Sequence, residues 1–433
     1  MSSSITISQI EVVDEGKTSI PIRTGIGFLD HMIDQWNSHA QIGVGIVVQE
    51  AMGDHNYFGK EPQRQQQEEL CTVVGTALGA ALYQTILQPK QQQRKQPSDP
   101  GSESRFCCPL DEALVECRLR LTHNDHDADA KGKLVRYELA PYGRYPSLTG
   151  RTRIGSWETH TMQAFWNALA SSAKLEIELV KIRGDNGHHI VESSFKAFSR
   201  ALRQWLDAPT VFSPNSDNDA ASIALGRSGS IERSTKETKI AVQLLLNGCT
   251  DPKEIHVHTG IPMLDQFVTV LCQAAQISCR IDCQGDLWVD DHHTTEDVSI
   301  AIGQCLTEAL GTKAGLNRMG VAQAQVGTAL VEVTMDLSNR PYLGHDLHET
   351  LGRNEEVVDR MSCEMMEHML DSLVMNGRLT VHIVERTPDG THATVKDTML
   401  ATAQAFGEAL RVCAMVDQRR AGQTASSKGT LSV

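Results

Sequence analysis

The chain has 433 residues with 54 acidic and 40 basic side chains, which gives a formal net charge of −14. This balance argues against nucleic acid and anionic membranes as partners, because both repel negative charge. The length exceeds what one compact core usually supports, so two domains are expected. No apolar run of roughly 18 residues stands out as a membrane span. Eleven scattered cysteines without a CxxC pair indicate reduced thiols and a cytoplasmic location.

An internal repeat organises the chain. Residues 23–31 (RTGIGFLDH) return as residues 258–266 (HTGIPMLDQ). Residues 75–82 (GTALGAAL) return as residues 303–310 (GQCLTEAL). Later in each half, a strand pattern precedes a helical pattern that ends in Ala-Leu-Arg. Because the order is the same in both halves, the sequence predicts a tandem duplication.

Two domains and a linker follow from this repeat. Domain one is expected at residues 1–207, a linker rich in Pro, Ser and Asn at 208–230, and domain two at 231–433. A polar stretch, residues 88–104, interrupts domain one and is expected to be a disordered surface loop. Strand and helix patterns are interleaved in both domains, so the predicted class is α+β, with helices packed on sheets.

Two HHxxE runs carry the candidate chemistry. One is HHIVE at residues 188–192 and the other is HHTTE at residues 292–296. On a helix, residues three and four apart face one spot, so the imidazoles and the carboxylate can meet there. Neutral imidazoles with a carboxylate favour first-row divalent metals over calcium or magnesium. A single run is also compatible with a solvated acidic helix start, but two runs in one chain favour metal binding.

Five motifs in one order resemble the imidazoleglycerol-phosphate dehydratases of histidine biosynthesis. They are TGIGFLDHM, DDHHTTED, DLSNRPYL, NGHHIVESSFKAF and the closing SSKG, and the resemblance covers nearly the whole chain twice. It implies a hydro-lyase made of two tandem homologous domains, each a helical layer sandwiched between two mixed β-sheets. It also implies a site for two Mn²⁺ ions, other first-row divalent metals being possible. The family's shell of about 24 domains would then need about 12 chains.

Neither domain has the family's whole ligand set. In domain one the first HHxxE position is RQQQE, at residues 64–68. In domain two Gln266 replaces the histidine of the LDH run, and the second HHxxE is lost. Its place is taken by His392 or by Lys396 and Asp397, depending on the alignment. The resemblance therefore implies one composite two-metal site per chain. Its expected ligands are His31, His188, His189, Glu192, His292, His293, Glu296 and His382.

The resemblance also implies residues that bind the substrate, a small phosphorylated imidazole compound. They are His39, Arg318, Arg340, Lys196, Ser426, Ser427 and Lys428. Arg144, in the GRY run of domain one, is the expected counterpart of Arg340. Glu237 and Asp111 are the candidate catalytic carboxylates, with Glu237 preferred. Dehydration removes a weakly acidic C–H and a hydroxyl, which metals on the ring nitrogens and a nearby carboxylate would assist.

Three other functions remain open at this stage. The chain could be a catalytically inactive regulatory or assembly paralogue of an intact dehydratase, although the ligand positions lost in one domain survive in the other. It could be a histidine-rich metal-binding module, against which the phosphate-anchoring residues argue. A two-metal phosphoesterase would carry more carboxylate ligands than this chain does.

Overall fold

The computed structural model of the chain divides into two compact units, Met1–Ser216 and Asp217–Val433, here called unit 1 and unit 2. It describes residues 5–49, 64–93, 103–122, 134–144, 149–208, 227–246, 254–352, 356–388, 390–420, 422–426 and 430–431. The division falls within the linker expected at residues 208–230. A strand already begins at Arg227, so the end of that segment belongs to unit 2 rather than to a linker.

Unit 1 interleaves strands and helices. Its strands are β1 (Thr6–Val13), β2 (Ile22–Arg23), β3 (Gly43–Gln49), β4 (Glu103–Leu110), β5 (Ala113–Leu121), β6 (Val135–Glu138), β7 (Arg153–Ile154), β8 (Trp157–Glu158) and β9 (Leu175–Arg183). Its helices are α1 (Gly27–Gln35), α2 (Arg64–Leu82), α3 (Gln88–Gln93), α4 (Met162–Ala173) and α5 (Gly187–Asp207). A short π-helix (Trp36–Ala40) extends α1, and a second one (Tyr83–Leu87) joins α2 to α3. A 3₁₀ turn (Thr159–Thr161) precedes α4.

Two mixed sheets enclose the helices of unit 1. One sheet has the strand order β1-β3-β2 and the other the order β4-β5-β9-β6. In each sheet the last strand pairs in parallel and the others pair antiparallel. Helix α5 packs on β4 and β5, whereas α2 packs on β1 and on α4. The helical layer therefore has a sheet on either side.

The segment Gln66–Gln92 is long and apolar enough to cross a membrane by length and composition, contrary to the expectation from sequence. About half of it is buried inside the structure. A Cβ on Gly75 would lie 2.4 Å from the carbonyl oxygen of Phe165, and one on Gly79 would lie 2.5 Å from that of Leu169. The two glycines let α2 approach α4 closely. These contacts are those of a helix in a protein core. Such a helix can be as long and as apolar as a membrane span.

Unit 2 repeats this order of elements. Its strands are β10 (Arg227–Ser234), β11 (Thr238–Leu246), β12 (Ile255–His258), β13 (Ser278–Gly285), β14 (Met319–Val326), β15 (Ala329–Asp336), β16 (Tyr342–His345), β17 (Val357–Val358), β18 (Met361–Ser362) and β19 (Thr380–Glu385). Its helices are α6 (Pro262–Ala275), α7 (His292–Leu310), α8 (His348–Leu351), α9 (Cys363–Gly377) and α10 (Val395–Ala414), followed by a 3₁₀ turn (Gln418–Arg420).

The helices of unit 2 also lie between two mixed sheets. The strand orders are β10-β11-β13-β12 and β14-β15-β19-β16. Helix α7 packs on β10 and β11, and α10 packs on β14 and β15, while α9 and α6 pack against these two helices. Phe267, Leu306, Met369 and Phe406 belong to one apolar core that both sheets share. The α+β class, with a helical layer between two mixed sheets, is confirmed in both units.

The LD run builds the same helix start in each unit. The backbone N and Oγ1 of Thr24 donate to Oδ1 of Asp30, at 2.8 and 2.6 Å. Thr259 donates to Asp265 in the same way, also at 2.8 and 2.6 Å. These bonds fix the extended backbone that leads into α1 and α6. The aspartate is thus structural in both units, whereas the next residue is a histidine only in unit 1.

The polar insertion is ordered at both of its ends, contrary to expectation. Helix α3 includes residues 88–93, and β4 begins at Glu103. The rest of the insertion, residues 94–102, lies outside the described residues.

Strand register corrects one assignment of the repeat. In unit 1, Val135 of β6 pairs in parallel with Ile177 of β9. In unit 2, Leu343 of β16 pairs in parallel with Val381 of β19. β6 therefore corresponds to β16, and the GRY run follows β6 whereas the NRP run precedes β16. Arg144 is not the counterpart of Arg340; its guanidinium instead pairs with a neighbouring aspartate of unit 1.

Candidate metal centre

The HHIVE run opens helix α5 in unit 1. The side chain of Asn186 accepts a hydrogen bond from the backbone N of His188 (2.9 Å), which caps the helix. His188 and Glu192 then lie one turn apart on one face. Nε2 of His188 is 3.0 Å from Oε2 of Glu192, and Nε2 of His31 on α1 is 4.0 Å from the same oxygen. These three side chains offer ligand atoms within 4.8 Å of one another.

The charges in this cluster suit a metal. Burial raises the pKa of the Glu192 carboxyl, but the Lys196 ammonium, 2.8 Å away, and the hydrogen bond with His188 lower that pKa well below its ordinary value. Burial lowers the pKa of His31. The cluster therefore contains an ionised carboxylate and a neutral imidazole, the forms in which both groups bind metals.

His189 is held by a carboxylate that the sequence did not single out. Its Nδ1 is 2.8 Å from Oε2 of Glu112, and this hydrogen bond raises the pKa of His189. Its Nε2 is 3.9 Å from Oδ2 of Asp111. Among the described residues of unit 1, His189 is not one of the three converging donors. A carboxylate on Nδ1 leaves Nε2 as the nitrogen that can bind a metal.

The HHTTE run opens helix α7 in unit 2. Oδ1 of Asp290 accepts a hydrogen bond from the backbone N of His292 (2.9 Å). Nε2 of His292 is 3.8 Å from Oε2 of Glu296, and Nε2 of His368 on α9 is 3.3 Å from Oε1 of the same carboxylate. His292, Glu296 and His368 offer ligand atoms within 4.8 Å of one another. Unit 2 thus has its own cluster of two imidazoles and one carboxylate.

His293 has the same surroundings as His189. Its Nδ1 is 3.1 Å from Oδ2 of the buried Asp286, and this hydrogen bond raises the pKa of His293. Its Nε2 is 3.8 Å from Oε1 of Glu237. The two candidate catalytic carboxylates, Glu237 and Asp111, therefore lie beside the second histidine of the run in their own unit.

His382, the strand histidine expected to be a ligand, is buried on β19, with its ring 5.3 Å from that of Tyr342. It is not among the converging donors that the structure describes in unit 2. Sequence reasoning missed the histidine that does converge, His368. A lone histidine in an apolar helix carries no motif. When the helices are counted back from their left-handed C-caps, Ala164 of unit 1 stands at the position of His368.

The start of α10 decides the alignment that the sequence left open. Thr394 caps α10 by accepting a hydrogen bond from the backbone N of Asp397 (3.0 Å). It therefore matches the cap residue of α5, and Lys396 and Asp397 occupy the places of the two histidines. His392 lies before the helix. In unit 1, α2 has the same 19-residue length as α7. Its first residue, Arg64, therefore stands where α7 begins with His292.

The expected phosphate-binding residues of unit 2 include a buried arginine. Nε and Nη2 of Arg318 donate to the two carboxylate oxygens of Asp336, each at 2.7 Å, and Nη1 donates to the carbonyl oxygen of Ala425 (2.5 Å). Lys313 is buried nearby and donates to Oδ1 of Asn339 (2.6 Å). Burial lowers the pKa of Lys313 to about 8. Arg318 therefore holds the backbone of the C-terminal segment rather than facing solvent.

The other expected substrate residues have varied positions. Arg340 is partly buried, and its backbone N donates to Oγ of Ser338 (3.0 Å). The backbone N of Ser426 donates to the carbonyl oxygen of Thr424 (2.8 Å). His39 is buried in the short π-helix that extends α1. Ser427 and Lys428 lie outside the described residues.

A model of the imidazoleglycerol-phosphate dehydratase family matches residues 24–202 and 259–411. The two segments together make up more than half of the chain, with one segment in each unit. The chain belongs to the imidazoleglycerol-phosphate dehydratase family. Members named for this activity are hydro-lyases, and the family is metal-dependent.

Known members match one half of this chain each. Imidazoleglycerol-phosphate dehydratase 1, chloroplastic, of Arabidopsis thaliana is 38% identical over 217 residues, 50% of this chain and 76% of that protein. The Gloeobacter violaceus dehydratase is 37% identical over 205 residues, 47% of this chain and 98% of that protein. With the two segments matched by the family model, these half-length matches confirm the duplication. The Staphylococcus aureus crystal structure of a dehydratase is 27% identical, covering 44% of this chain and 99% of that chain, with a TM-score of 0.37.

The donors present fit the metal dependence of the family. Each unit brings together two imidazoles and one carboxylate, a set suited to first-row divalent metals. Each unit also has a further histidine whose Nδ1 is bound by a carboxylate, as is common for histidines that bind a metal through Nε2.

Proposed function

We propose that the chain dehydrates imidazoleglycerol phosphate to imidazole acetol phosphate in histidine biosynthesis, at one composite two-metal site per chain. One observation carries the proposal: the two clusters are complementary. The donors of unit 1 come from the LDH run and the second HHxxE, whereas those of unit 2 come from the first HHxxE and α9. Each unit has lost the positions that the other has kept. Decay in an inactive paralogue would not produce this division.

The proposed metal is Mn²⁺, two ions per site, with other first-row divalent ions as substitutes. Metals bound to the imidazole ring of the substrate would supply Lewis acidity that favours loss of a proton. The residues of the chain prepare this site. Lys196 keeps Glu192 ionised, and Glu112 and Asp286 orient His189 and His293 so that Nε2 is presented.

Glu237 is proposed as the group that moves protons during the reaction. Its side chain is half exposed and lies beside Nε2 of His293, so it can reach both a substrate and the metal-binding nitrogens. A carboxylate in this position can accept the proton of the C–H bond and return one to the product. Asp111, in the turn between β4 and β5 of unit 1, is the second candidate.

The substrate phosphate is proposed to bind the basic residues near the end of unit 2. Arg340, which is partly buried, and Ser426, Ser427 and Lys428 of the closing segment are proposed as its direct contacts. Arg318 would act indirectly, because its charge is neutralised by Asp336 while it holds the carbonyl of Ala425. Two further residues, Lys196 and His39, are proposed to complete the substrate site from unit 1.

Two substitutions test the composite site. His188→Ala in unit 1 and His292→Ala in unit 2 should each abolish formation of the ketone product by the manganese-loaded chain. His256→Ala, an exposed histidine on β12 outside both clusters, is the control and should stay active. Full activity in either cluster variant would contradict the composite site. No product from folded, metal-loaded wild-type chain would favour the inactive-paralogue alternative.

Mixing the two variants shows whether the two halves of a site come from one chain or from two. If each site draws on two chains, a mixture of the His188→Ala and His292→Ala chains regains activity, because some sites then contain two intact halves. If each chain closes its own site, every site keeps one lesion and the mixture stays inactive. Both outcomes agree with a composite site.

A large homo-oligomer in the cytoplasm is part of the same proposal. Both units keep the helix–sheet scaffold of the family, including the Thr–Asp helix start. A family shell of about 24 domains would then contain about 12 chains. No nucleic-acid or membrane partner is proposed. Light scattering with manganese present measures the assembly, and a monomer would contradict it.

A further inference from the structure

Three more side chains of metal-binding type converge in unit 2. They lie outside the cluster of His292, Glu296 and His368, here called the HHTTE cluster. His345 ends β16, His348 opens α8, and Glu367 lies on α9. Nε2 of His345 is 3.2 Å from Oε1 of Glu367, and Nδ1 of His348 is 3.5 Å from Oε2 of the same carboxylate. The two imidazole rings lie 4.4 Å apart. One ligand atom of each side chain lies within 4.8 Å of the other two.

We infer that His345, His348 and Glu367 form a further metal site for a divalent ion of the zinc type. Two imidazoles and one carboxylate are a common zinc ligand set, which leaves a fourth position for water. Calcium and magnesium prefer all-oxygen ligands, so the two histidines select against them. The inference concerns metal binding alone and does not depend on the proposed dehydratase activity.

This site is separate from the HHTTE cluster because the two use different sides of α9. Neighbouring residues on a helix do not face the same spot. His368 is directed to Glu296, at 3.3 Å, whereas Glu367 is directed to His345. An ion bound to Glu367 would tie β16, α8 and α9 together. It would therefore fix the rotation of the helix that presents His368 to the other cluster.

Unit 1 has replaced two of the three ligands of this site. Tyr137 takes the register position of His345 on the equivalent parallel strand. Its hydroxyl is hydrogen-bonded to the hydroxyl of Tyr142, at 2.7 Å. Gln163 stands at the position of Glu367 when the helices are counted back from their C-caps. A phenol and an amide are poor zinc ligands, so the described residues of unit 1 do not repeat this set of donors at the two positions.

The three ligands differ in exposure, and the most exposed of them can be removed without harming the fold. The side chain of His345 is 7% exposed, that of Glu367 is 45% exposed and that of His348 is 65% exposed. His345 would anchor the ion from the interior, while the other two reach it from the surface. Because His348 buries little, its removal should leave the core of unit 2 intact.

The test is a titration of metal-stripped chain with Zn²⁺ alone, followed by calorimetry and by metal analysis after dialysis. Loss of a group that only hydrogen-bonds to a metal ligand already weakens metal affinity by about 10–100-fold, so loss of a ligand itself should weaken the affinity by more than about 100-fold. We expect His348→Ala and Glu367→Gln each to bind one zinc ion fewer per chain than wild type. His256→Ala should match wild type.

A second comparison separates this site from the proposed dehydratase centre. His292→Ala should retain the zinc ion that His348→Ala loses, whatever happens to dehydratase activity. Equal zinc stoichiometry and affinity in wild type, His348→Ala and Glu367→Gln would overturn the inference, with folding checked by circular dichroism. Loss of the same ion in His292→Ala would also overturn it, since the two clusters would then be one site.

Discussion

The two three-donor clusters use the same kinds of side chain but differ in burial and charge. The carboxylate of Glu192 in unit 1 is 11% exposed and is bound by Lys196, whereas that of Glu296 in unit 2 is 36% exposed and faces His368. A buried carboxylate needs a cationic partner, and an exposed one does not. We therefore expect the cluster of unit 1 to keep its geometry without a metal, and that of unit 2 to depend more on a bound metal.

Despite this difference, both units hold one histidine of the HHxxE run with a carboxylate. In each unit the second histidine of the run binds a carboxylate through Nδ1, namely Glu112 in unit 1 and Asp286 in unit 2. Glu112 follows β4 in the turn to β5, whereas Asp286 follows β13, so the two carboxylates come from different places in the repeat. The need to orient this imidazole is thus common to both halves, although the supporting residue is not.

Beyond the two variants that test the composite site, the largest effect is expected from His368→Ala in unit 2. The cluster there is partly exposed, and no lysine pairs with its carboxylate among the described residues, so loss of one donor should prevent metal binding. Metal stabilisation of a transition state is worth several kcal/mol, which corresponds to a rate loss on the order of 10³-fold. Product formation and metal content of the purified variant are the measurements.

The matched control is His382→Ala, the buried histidine on β19. It should leave metal content unchanged, even if it lowers stability. Loss of metal from the His382→Ala chain with retention in the His368→Ala chain would reverse the assignment of the ligand.

The next largest effect is expected from Lys313→Met, which removes a buried charge of unit 2. Burial lowers the pKa of this lysine from 10.5 to about 8. Between pH 8 and 10.5 the unfolded chain therefore binds a proton that the folded chain does not. The wild-type stability should rise with pH in this window by about 3 kcal/mol relative to the variant. The penalty is fully present below pH 8.

Denaturant unfolding of both chains at several pH values checks this prediction. The difference between wild type and Lys313→Met isolates the lysine, because buried cysteines that also titrate at high pH are common to both chains. A difference that stays constant from pH 8 to 10.5 would contradict the lowered pKa.

Much of the fold could be predicted from the sequence because its signals are local. Helical spacing and the repeated LD run indicate where helices begin, and both HHxxE runs do open helices, at residues 187 and 292. Strand register depends instead on pairing across the sheet. The GRY run therefore misled the sequence comparison, since Arg144 follows β6 while Arg340 precedes the equivalent strand.

The site could be predicted only where its residues carry a motif. The histidine pairs were found because a pair of histidines followed by a glutamate at helical spacing is a rare pattern. His368 was missed because tertiary packing alone brings α9 to α7. Glu112 and Asp286 were missed because each is an ordinary acidic residue in a turn. Arg318 was expected to face the substrate, but its buried partner Asp336 could not be seen from composition or spacing.

The orienting carboxylates give a smaller effect and a direct comparison of the units. Glu112→Gln and Asp286→Asn keep the size of the side chain but remove its charge. Each should weaken metal binding by about 10–100-fold, because the imidazole loses the partner that fixes its tautomer. Calorimetry with Mn²⁺ measures this loss. A purely structural role would instead lower the unfolding free energy and leave the metal affinity of the folded chain unchanged.

The smallest effect is expected at the caps of the last helix in each unit. Asn186→Ala and Thr394→Ala each remove a side-chain acceptor from a helix N-terminus, which should lower the unfolding free energy by about 1 kcal/mol. The two variants should differ in metal binding. The first turn of α5 contains His188, a candidate metal ligand, whereas α10 has Lys396 at that position. Only Asn186→Ala should therefore weaken metal affinity, since fraying of α5 displaces His188 from Glu192. Equal affinities in the two variants would show that the geometry of the cluster does not depend on its helix start.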